Sequence, residues 1–581
     1  MSVNLRQYLQ LLRQEEEIVD IYEEVDSDLE IAEIHRRVIE QGGPALFFHR
    51  VKNSPFPVVT NLFGTEKRIS LAFHNHPEKL IENLVSLAKE GISPAALWKK
   101  RELIRALLKM GFKRRKRGSV KEIRMEEVDL EKLPMLKTWP LDGGHFITLP
   151  LVYTEPPLKG AANLGMYRIQ RYNKSQAGLH FQIGKGGGFH YEAAERQGLS
   201  LPVNIFIGGP PALILSAIAP LPENVSELLM ASLLQGSKLS LTSSDKNHYP
   251  LISECEFALV GHTKPKVRRA EGPFGDHYGY YSWIHDFPLF ECESIYHRRG
   301  AIYPATVVGK PYQEDYYIGN FLQSLLSPLF PLVMPGVKSL WSYGETGFHS
   351  LAAAVVQERY YRECMQSAFR ILGEGQLAFS KFLLLTCQDI DLKNFKQVLT
   401  KVLERFQPET DLFIFSNLSL DTLDYTGPEL NKGSRGVMLG VGEKRRDLPE
   451  EYCGPLPPHV KAAFPFSPGC LVLETPSFQE FSDFPSLFSF PAFQKWPLLI
   501  IVDDIKKAMA STCSFLWTTF TRFEPAADIY AHISKVHRHH PVYTGPILID
   551  ARMKPSYPPE LVADPEMEMQ VTRSWGRYFS E

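Results

Sequence analysis

The amino-acid sequence predicts a multidomain protein of mixed α/β and α+β class, on three observations. The first is size: 581 residues, 44% hydrophobic and 22% charged, can bury a sizeable core, and at roughly 150 residues per domain they make three or four units. The second is an alternation of helix and strand signals near the N-terminus that returns after Pro331. The third is the texture between them. From about residue 120 to 325 the chain runs in short β-rich segments broken by Gly, Pro and Asn, the turn spacing of a barrel or sandwich.

Leu5, Leu9 and Leu12 recur at helical spacing behind Asn4, a good N-cap. Residues 18–22 predict a strand. Ser27 precedes a second amphipathic pattern (Leu29, Ile31, Ile34, Val38) that stops at Gly42-Gly43. Strands at 45–48 and 57–62 and a helix around 80–88 complete a small α/β unit. The basic run Lys113–Arg117 closes it, and since such runs are usually solvated, a linker outweighs an anion-binding patch. In the middle, 151–154, 203–207 and 257–260 read as strands, with one helix at 226–234. Further on, 351–369 has a long helical pattern, 382–386 reads as a buried strand and 391–405 as a helix. Residues 498–502, 505–510 and 514–519 read as the strand, helix and strand of a parallel sheet. No internal repeat is evident.

Composition excludes some function classes. Sixty-four Lys+Arg against 66 Asp+Glu leave a net charge of −2, which gives no support to a nucleic-acid binder acting through bulk charge. The seven cysteines are scattered without a C-x-x-C and read as reduced thiols of a cytoplasmic protein. The N-terminus reaches Glu15-Glu16-Glu17 without an apolar core, predicting no secretory signal. The apolar stretches at 212–219 and 498–502 fall far short of the roughly 20 residues of a transmembrane helix.

Chemistry concentrates in a few places. Glu271-Gly-Pro-Phe-Gly-Asp276-His-Tyr-Gly-Tyr-Tyr281 has too many breakers for a regular element and is a shaped loop presenting two carboxylates. It is either a turn with solvated acids or an acid–base site. In the second case a carboxyl against an apolar wall is protonated near neutral pH, and one paired with a guanidinium stays ionised. Asn163-Leu-Gly-Met-Tyr-Arg168, Gly178-Leu-His180-Phe181-Gln182 and Gly184-Lys185-Gly186-Gly187-Gly188 form a second cluster. Its glycines match neither common phosphate-binding fingerprint, and a flexible hairpin explains them more simply. In Pro220-Leu-Pro-Glu-Asn-Val-Ser226-Glu227, Ser226 is placed to cap the following helix, with Glu227 in its first turn. His537-Arg538-His539-His540 reads as a polar loop before Pro541 rather than a metal site.

Taken in order, Asn163-x-Gly-x-Tyr-Arg168, Gly178-x-His180, the glycine run, Pro220-x-Pro-x-x-x-Ser-Glu227, the Glu271–Tyr281 loop, Trp517-x4-Arg522-x2-Pro525-x2-Asp528 and Ile549-Asp-Ala551 resemble the UbiD-type decarboxylases. These are reversible, non-oxidative enzymes using prenylated flavin mononucleotide. The resemblance implies an N-terminal α/β domain (1–115), a central split β-barrel that binds the flavin (116–328) and a C-terminal α/β oligomerisation domain with a tail (329–581). It implies Arg168, Glu271 and Asp276 as the catalytic triad. Arg168 would keep Glu271 ionised, and Asp276, if buried against aromatics, would be the protonated general acid. Asn163, His180 and Glu227 would hold a divalent metal, usually manganese, with K+ as a further candidate cation. Met166, Tyr167, Arg168, His180, Phe181, Gln182, Lys185 and Gly186 would contact the flavin. Many members carry a phosphate-binding lysine shortly before the Ile-Asp-Ala segment; here none precedes Lys554.

Leu29–Arg37, Ser54–Gly64 and Gly545–Pro555 look closest to the menaquinone-biosynthesis branch of the futalosine route, which acts on 1,4-dihydroxy-6-naphthoate or its prenylated form. A prenylated 4-hydroxybenzoate decarboxylase of ubiquinone synthesis is the alternative, and a non-catalytic flavin module the second. Implied partners are a small aromatic acid, a flavin prenyltransferase supplying the cofactor, further copies of the chain, no nucleic acid, and a membrane surface if the acid is prenylated.

Overall fold

The computed structural model describes residues 4–579 apart from 74–75, 91–100, 159, 183, 220, 222–225 and 311. It separates into two units, Met1–Leu325 with Pro559–Glu581, and Leu326–Pro558.

In the first unit the N-terminal elements follow the sequence pattern. Asn4 caps helix Leu5–Gln14 by accepting from the Gln7 N–H at 3.0 Å, and Leu5, Leu9 and Leu12 are buried. Strands Ile18–Val25 and Ala45–Val51 pair in parallel, bridged by helix Glu30–Glu40, and Val58–Thr60 and Tyr303–Pro304 complete the sheet. Helix His76–Glu90 lies where the 80–88 pattern put it.

The β-rich middle forms one large sheet. Its strands run in the order Phe146–Ile147, Ile169–Arg171, Gln176–Leu179, His285–His297, Phe257–Glu271, Leu201–Ile207, Pro150–Thr154, Asn163–Gly165, with Ile123–Arg124 on the side. Among the described residues this is an open path, not a closed ring. One hydrophobic core, including Ile21, Phe48, Ile147, Val203, Phe257 and Ile295, serves both sheets. The run Gly186-Gly187-Gly188 does not make a hairpin: it opens helix Gly186–Arg196. A Cβ at Gly187 would stand 2.9 Å from Phe181, and one at Gly188 2.4 Å from the Gln182 carbonyl oxygen. The glycines therefore let this helix seat closely rather than stay flexible.

The second unit holds two five-stranded sheets. One runs Val337–Ser342, Leu351–Val356, Phe382–Thr386, Lys432–Gly440, Leu412–Ser419; the other runs Ala462–Ser467, Cys470–Glu474, Leu498–Val502, His540–Asp550, Ile529–His537. Pairing across each goes antiparallel, parallel, parallel, antiparallel. The unit is thus an internal repeat, contrary to the sequence expectation. Its sequence trace is short: Phe406-x-Pro408-x-x-Asp411-Leu412 against Phe523-x-Pro525-x-x-Asp528-Ile529. In both copies the aspartate accepts the N–H four residues back, Gln407 at 2.9 Å and Glu524 at 2.7 Å. The helical turn Pro408–Asp411 packs on strand His540–Asp550, and Pro525–Asp528 packs on Lys432–Gly440, a reciprocal arrangement of the kind that joins two-fold related subunits. Phe395, Phe466, Phe515 and Phe520 fill a core common to both sheets, with Phe466 and Phe515 stacked at 3.5 Å between centroids.

Two further expectations are corrected here. The helical pattern at 351–369 is strand Leu351–Val356 followed by helix Glu363–Leu372. All of Leu351–Val356 is buried, and a strand covered on both faces shows no alternation to distinguish it from a helix. The strand read at 514–519 is helix Thr512–Thr521, capped by Ser511, which accepts from the Ser514 N–H at 3.0 Å. Cap and burial override the β-branched Thr518-Thr519. At 537–540 the chain makes a hairpin turn, with Arg538 and His539 at positive φ and His537 paired to His540.

Candidate active site

Strand register brings Arg168, His180 and Glu271 together. The pairs Gly178↔Gln170 and Leu179↔Ile169 run antiparallel, so the next pair is His180 beside Arg168, and the His180 N–H donates to the Arg168 carbonyl at 3.3 Å. Glu271 ends the long strand Phe257–Glu271 and is fully buried. Arg168 grips it bidentately, Nε to Oε1 at 2.7 Å and Nη2 to Oε2 at 3.0 Å. The same guanidinium reaches Asp276 through Nη1 and donates to Ser282 Oγ at 2.9 Å, over the face of Phe274. His180 Nδ1 lies 3.2 Å from Glu271 Oε2, and its ring lies 4.3 Å from that of Phe287.

Charge follows geometry. Burial pushes the Glu271 carboxyl up, but Arg168 and His180 outweigh it and hold it at about 2. Asp276 is also held well below the carboxylate range: burial opposes, while His277 and Arg168 prevail. His277 donates its N–H to Asp276 Oδ1 at 2.8 Å, with Nδ1 2.7 Å from the same oxygen. This corrects the expected division of labour. One guanidinium serves both carboxylates, so Asp276 is ionised in this arrangement rather than a standing acid. Burial and the nearby Arg168 lower His180, which is neutral at neutral pH.

The Glu271–Tyr281 segment is the shaped loop its glycines require. Gly272 and Gly279 take positive φ; Asp276 N–H donates to Tyr280 O at 3.1 Å, and Gly279 N–H to Asp276 O at 2.9 Å. Three supports were not legible in the sequence. Asp142, buried, accepts from Thr138 N–H and Oγ1, from Trp139 N–H (all 2.9 Å) and from Gly275 N–H at 2.7 Å, tying the 138–144 segment to the loop next to Asp276. Gln170 donates to Gly143 O and accepts from Gly272 N–H, both at 2.8 Å. The segment after Pro558 returns to this unit: Tyr281 N–H donates to Pro559 O and Leu561 N–H to Gly279 O, both at 3.0 Å. Lys310 pairs with Glu560, and Leu561 packs with Trp139 and Tyr281. Only Trp139-Pro-Leu-Asp142-Gly-Gly144, with its turn residues, hinted at a structured loop.

Asn163, Tyr167, Phe181 and Gly186 also meet. Tyr167 stacks edge-on against Phe181 at 5.2 Å and accepts from Gly187 N–H at 3.1 Å. A Cβ on Gly186 would fall 2.2 Å from Asn163 Oδ1. Lys185 sits at the N-cap position of the glycine-led helix, and Met166 is half-buried beside Tyr167. Ser226 occupies the N-cap of helix Glu227–Gln235, but its side chain makes no capping bond. Glu227 instead accepts from Leu164 N–H at 3.1 Å, next to Asn163, and burial raises its carboxyl. Pro220 and 222–225 of that motif lie outside the described residues. Among the described residues no three His, Cys, Asp or Glu side chains converge as a metal site; of the expected set, Glu227 lies at the Asn163–Leu164 strand and His180 lies against Glu271. Lys554 is buried in the second unit, paired with Asp528 at 3.2 Å and donating to Arg522 O and Asp550 O.

Comparison with known proteins bears on this site. Three models of 3-octaprenyl-4-hydroxybenzoate carboxy-lyase match: the N-terminal domain at 9–88, the Rift-related domain at 113–311 and the C-terminal domain at 316–440. The chain is 52% identical to a Chlamydia pneumoniae protein named as a component of 4-hydroxybenzoate decarboxylase, over 99% of this chain and 98% of that one. The vanillic acid decarboxylase of Sedimentibacter hydroxybenzoicus in its closed form shares the fold at TM-score 0.68 and 24% identity, covering 79% of this chain and 96% of its own. An evolved dimeric HmfF from Pelotomaculum thermopropionicum, solved with prenylated FMN, does so at 0.62 and 23%, covering 77% and 97%. The chain belongs to the UbiD family and is an enzyme of its carboxy-lyase, that is decarboxylase, class.

Proposed function

We propose that this enzyme removes CO2 non-oxidatively from a hydroxyaryl carboxylic acid with prenylated FMN, using Arg168, Glu271 and Asp276. The observation that carries this is one buried guanidinium shared by two buried carboxylates on a braced loop. Binding alone has no use for so costly a cluster. The flavin, when bound, supplies the electron sink that loss of CO2 requires.

The chain's own groups do the rest. Arg168 is the group able to receive a substrate carboxylate. If the substrate takes the Nη1 side, Asp276 gives up the Arg168 guanidinium and keeps only its His277 contacts while staying buried. Its proton affinity then rises, and it can carry the proton that replaces CO2. Glu271 keeps the bidentate grip and fixes the guanidinium plane. Phe274 and Phe287 bound the cluster with apolar surface. The N–H groups at the start of helix Gly186–Arg196 would suit the cofactor phosphate, and Tyr167, Phe181, Gln182 and Lys185 would help to hold the cofactor. Asn163, His180 and Glu227 offer an amide oxygen, an imidazole nitrogen and a desolvated carboxylate, a donor set that suits Mn2+ or Mg2+.

For the substrate, the Chlamydia relative's name and the family description both point to a hydroxybenzoate. The resemblance of three segments to the menaquinone branch points to 1,4-dihydroxy-6-naphthoate. Both are phenol-bearing aryl acids. The test is CO2 release from each by protein made together with a flavin prenyltransferase. Asp276→Asn should keep the modified-flavin absorbance and lose turnover by roughly 100-fold or more. Near-full activity in that variant removes Asp276 from the mechanism, and absorbance without CO2 from any hydroxyaryl acid reduces the protein to a flavin module.

A further inference from the structure

We propose that residues 107–117 are a docking surface for an anionic lipid bilayer. The sequence has no carboxylate between Glu102 and Glu122, while Lys109 and the five consecutive cations Lys113–Arg117 fall in that interval. This is a local excess of positive charge in a chain whose total is −2. The structure adds what the sequence could not show. Helix Arg101–Lys109 anchors itself through Leu103, which is buried against Leu80, and turns Leu108 outward at 74% exposure and Leu107 at 40%. The chain then enters the edge strand Phe112–Arg114, paired in parallel with Leu239–Ser243 on one side only, and Phe112 is 41% exposed. Lys109 and all of Lys113–Arg117 are exposed. None of Lys113–Arg117 has an ion-pair partner among the described residues.

Apolar and cationic side chains thus share one solvent-facing stretch, and that combination selects the occupant. A nucleic acid would neutralise the cations but leave Leu107, Leu108 and Phe112 in water. An apolar protein face would cover the leucines and strand the charges. A bilayer with anionic headgroups takes both: the phosphates meet Lys109 and Lys113–Arg117, and the three apolar side chains enter the headgroup–acyl boundary. Among the described residues no helix is long and apolar enough to cross a membrane, so the attachment is peripheral. The inference stands on this surface alone and does not depend on the chemistry proposed above.

The experiment is co-sedimentation of the full-length protein with vesicles of phosphatidylglycerol and phosphatidylcholine, against phosphatidylcholine alone. The protein should pellet with the anionic vesicles only and be released by about 0.5 M salt. Reversing Lys113, Arg114 and Arg115 to Glu should weaken binding by at least about 100-fold. Leu108→Asp, which leaves every cation in place, should weaken it by about 10-fold. Both variants should keep the wild-type melting temperature. Absence of vesicle binding, or equal pelleting of wild type and the charge-reversed protein, overturns the proposal. So does tight binding to duplex oligonucleotide that Leu108→Asp leaves unchanged, or a self-association that Leu108→Asp abolishes.

Discussion

At the scale of single residues, the site shows how one side chain sets the charge of several others. Arg168, together with His180 at Glu271 and His277 at Asp276, holds both carboxyls low, so an Arg168→Lys protein, whose ammonium cannot fork, should lose turnover far beyond what loss of substrate affinity explains. Single-turnover kinetics would separate the two effects. Asp142 never touches the proposed reacting groups, yet it gathers four donors, one of them next to Asp276. Asp142→Asn would face N–H groups with an amide nitrogen, at a cost of roughly 1–3 kcal/mol. It should lower kcat with little change in KM, whereas an effect on melting temperature alone would make it purely structural. His35 tests electrostatics away from the site. Burial, then Arg36 and Arg68, hold its imidazole at about 3 against an ordinary 6.5. Between those values the unfolded chain binds the extra proton, so stability falls as pH drops from about 6.5 toward 3, by up to about 1.4 kcal/mol per unit. Urea titrations near pH 6 and pH 4 should show His35→Leu losing that part of the slope; an unaltered slope would refute it.

At the scale of elements, position comes from register and from unexpected neighbours. Arg168 and His180 meet because Ile169 and Leu179 are paired, and Glu271 reaches them as the last residue of the longest strand of that sheet. The segment Pro559–Leu561 then braces the same loop from the far end of the chain. Removing residues 559–581 should therefore cut activity by well over 10-fold while the second unit still folds, read by amide exchange confined to the first unit; full activity would show the loop braces itself. Much of this is legible in the sequence. Asn4, the leucine spacing and Gly42-Gly43 foretold the first helices, and the Gly-Pro-Phe-Gly run foretold the loop. What misled were elements whose periodicity burial erases, Leu351–Val356, and one whose β-branched residues are helical by context, Thr512–Thr521.

At the scale of the whole molecule, the second unit is one module used twice, its copies joined by reciprocal packing and a common phenylalanine core. Two sheets with a shared core should unfold together. Ile500→Ala, in the second sheet, should cost about 2–5 kcal/mol and speed exchange in the strands of both sheets equally; loosening of its own sheet alone would show the copies to be independent. The C-terminal family model ends at 440, where strand Lys432–Gly440 of the first copy ends, while the Chlamydia relative spans nearly the full chain.

The sequence by itself determined the residue types of the site, the loop that carries two of them, the N-terminal elements and the family. These live in local patterns: caps, breakers and motifs whose spacing is set by the backbone. Only the tertiary structure decided that both carboxylates share one guanidinium, that Asp142 and the returning C-terminal segment brace the loop, that the second unit is a repeat, and that leucines stand exposed among the cations of 107–117. Each of these depends on strand register or burial between residues far apart in the chain, which leave at most short local traces, such as the two Phe-x-Pro-x-x-Asp segments and the turn residues around Asp142.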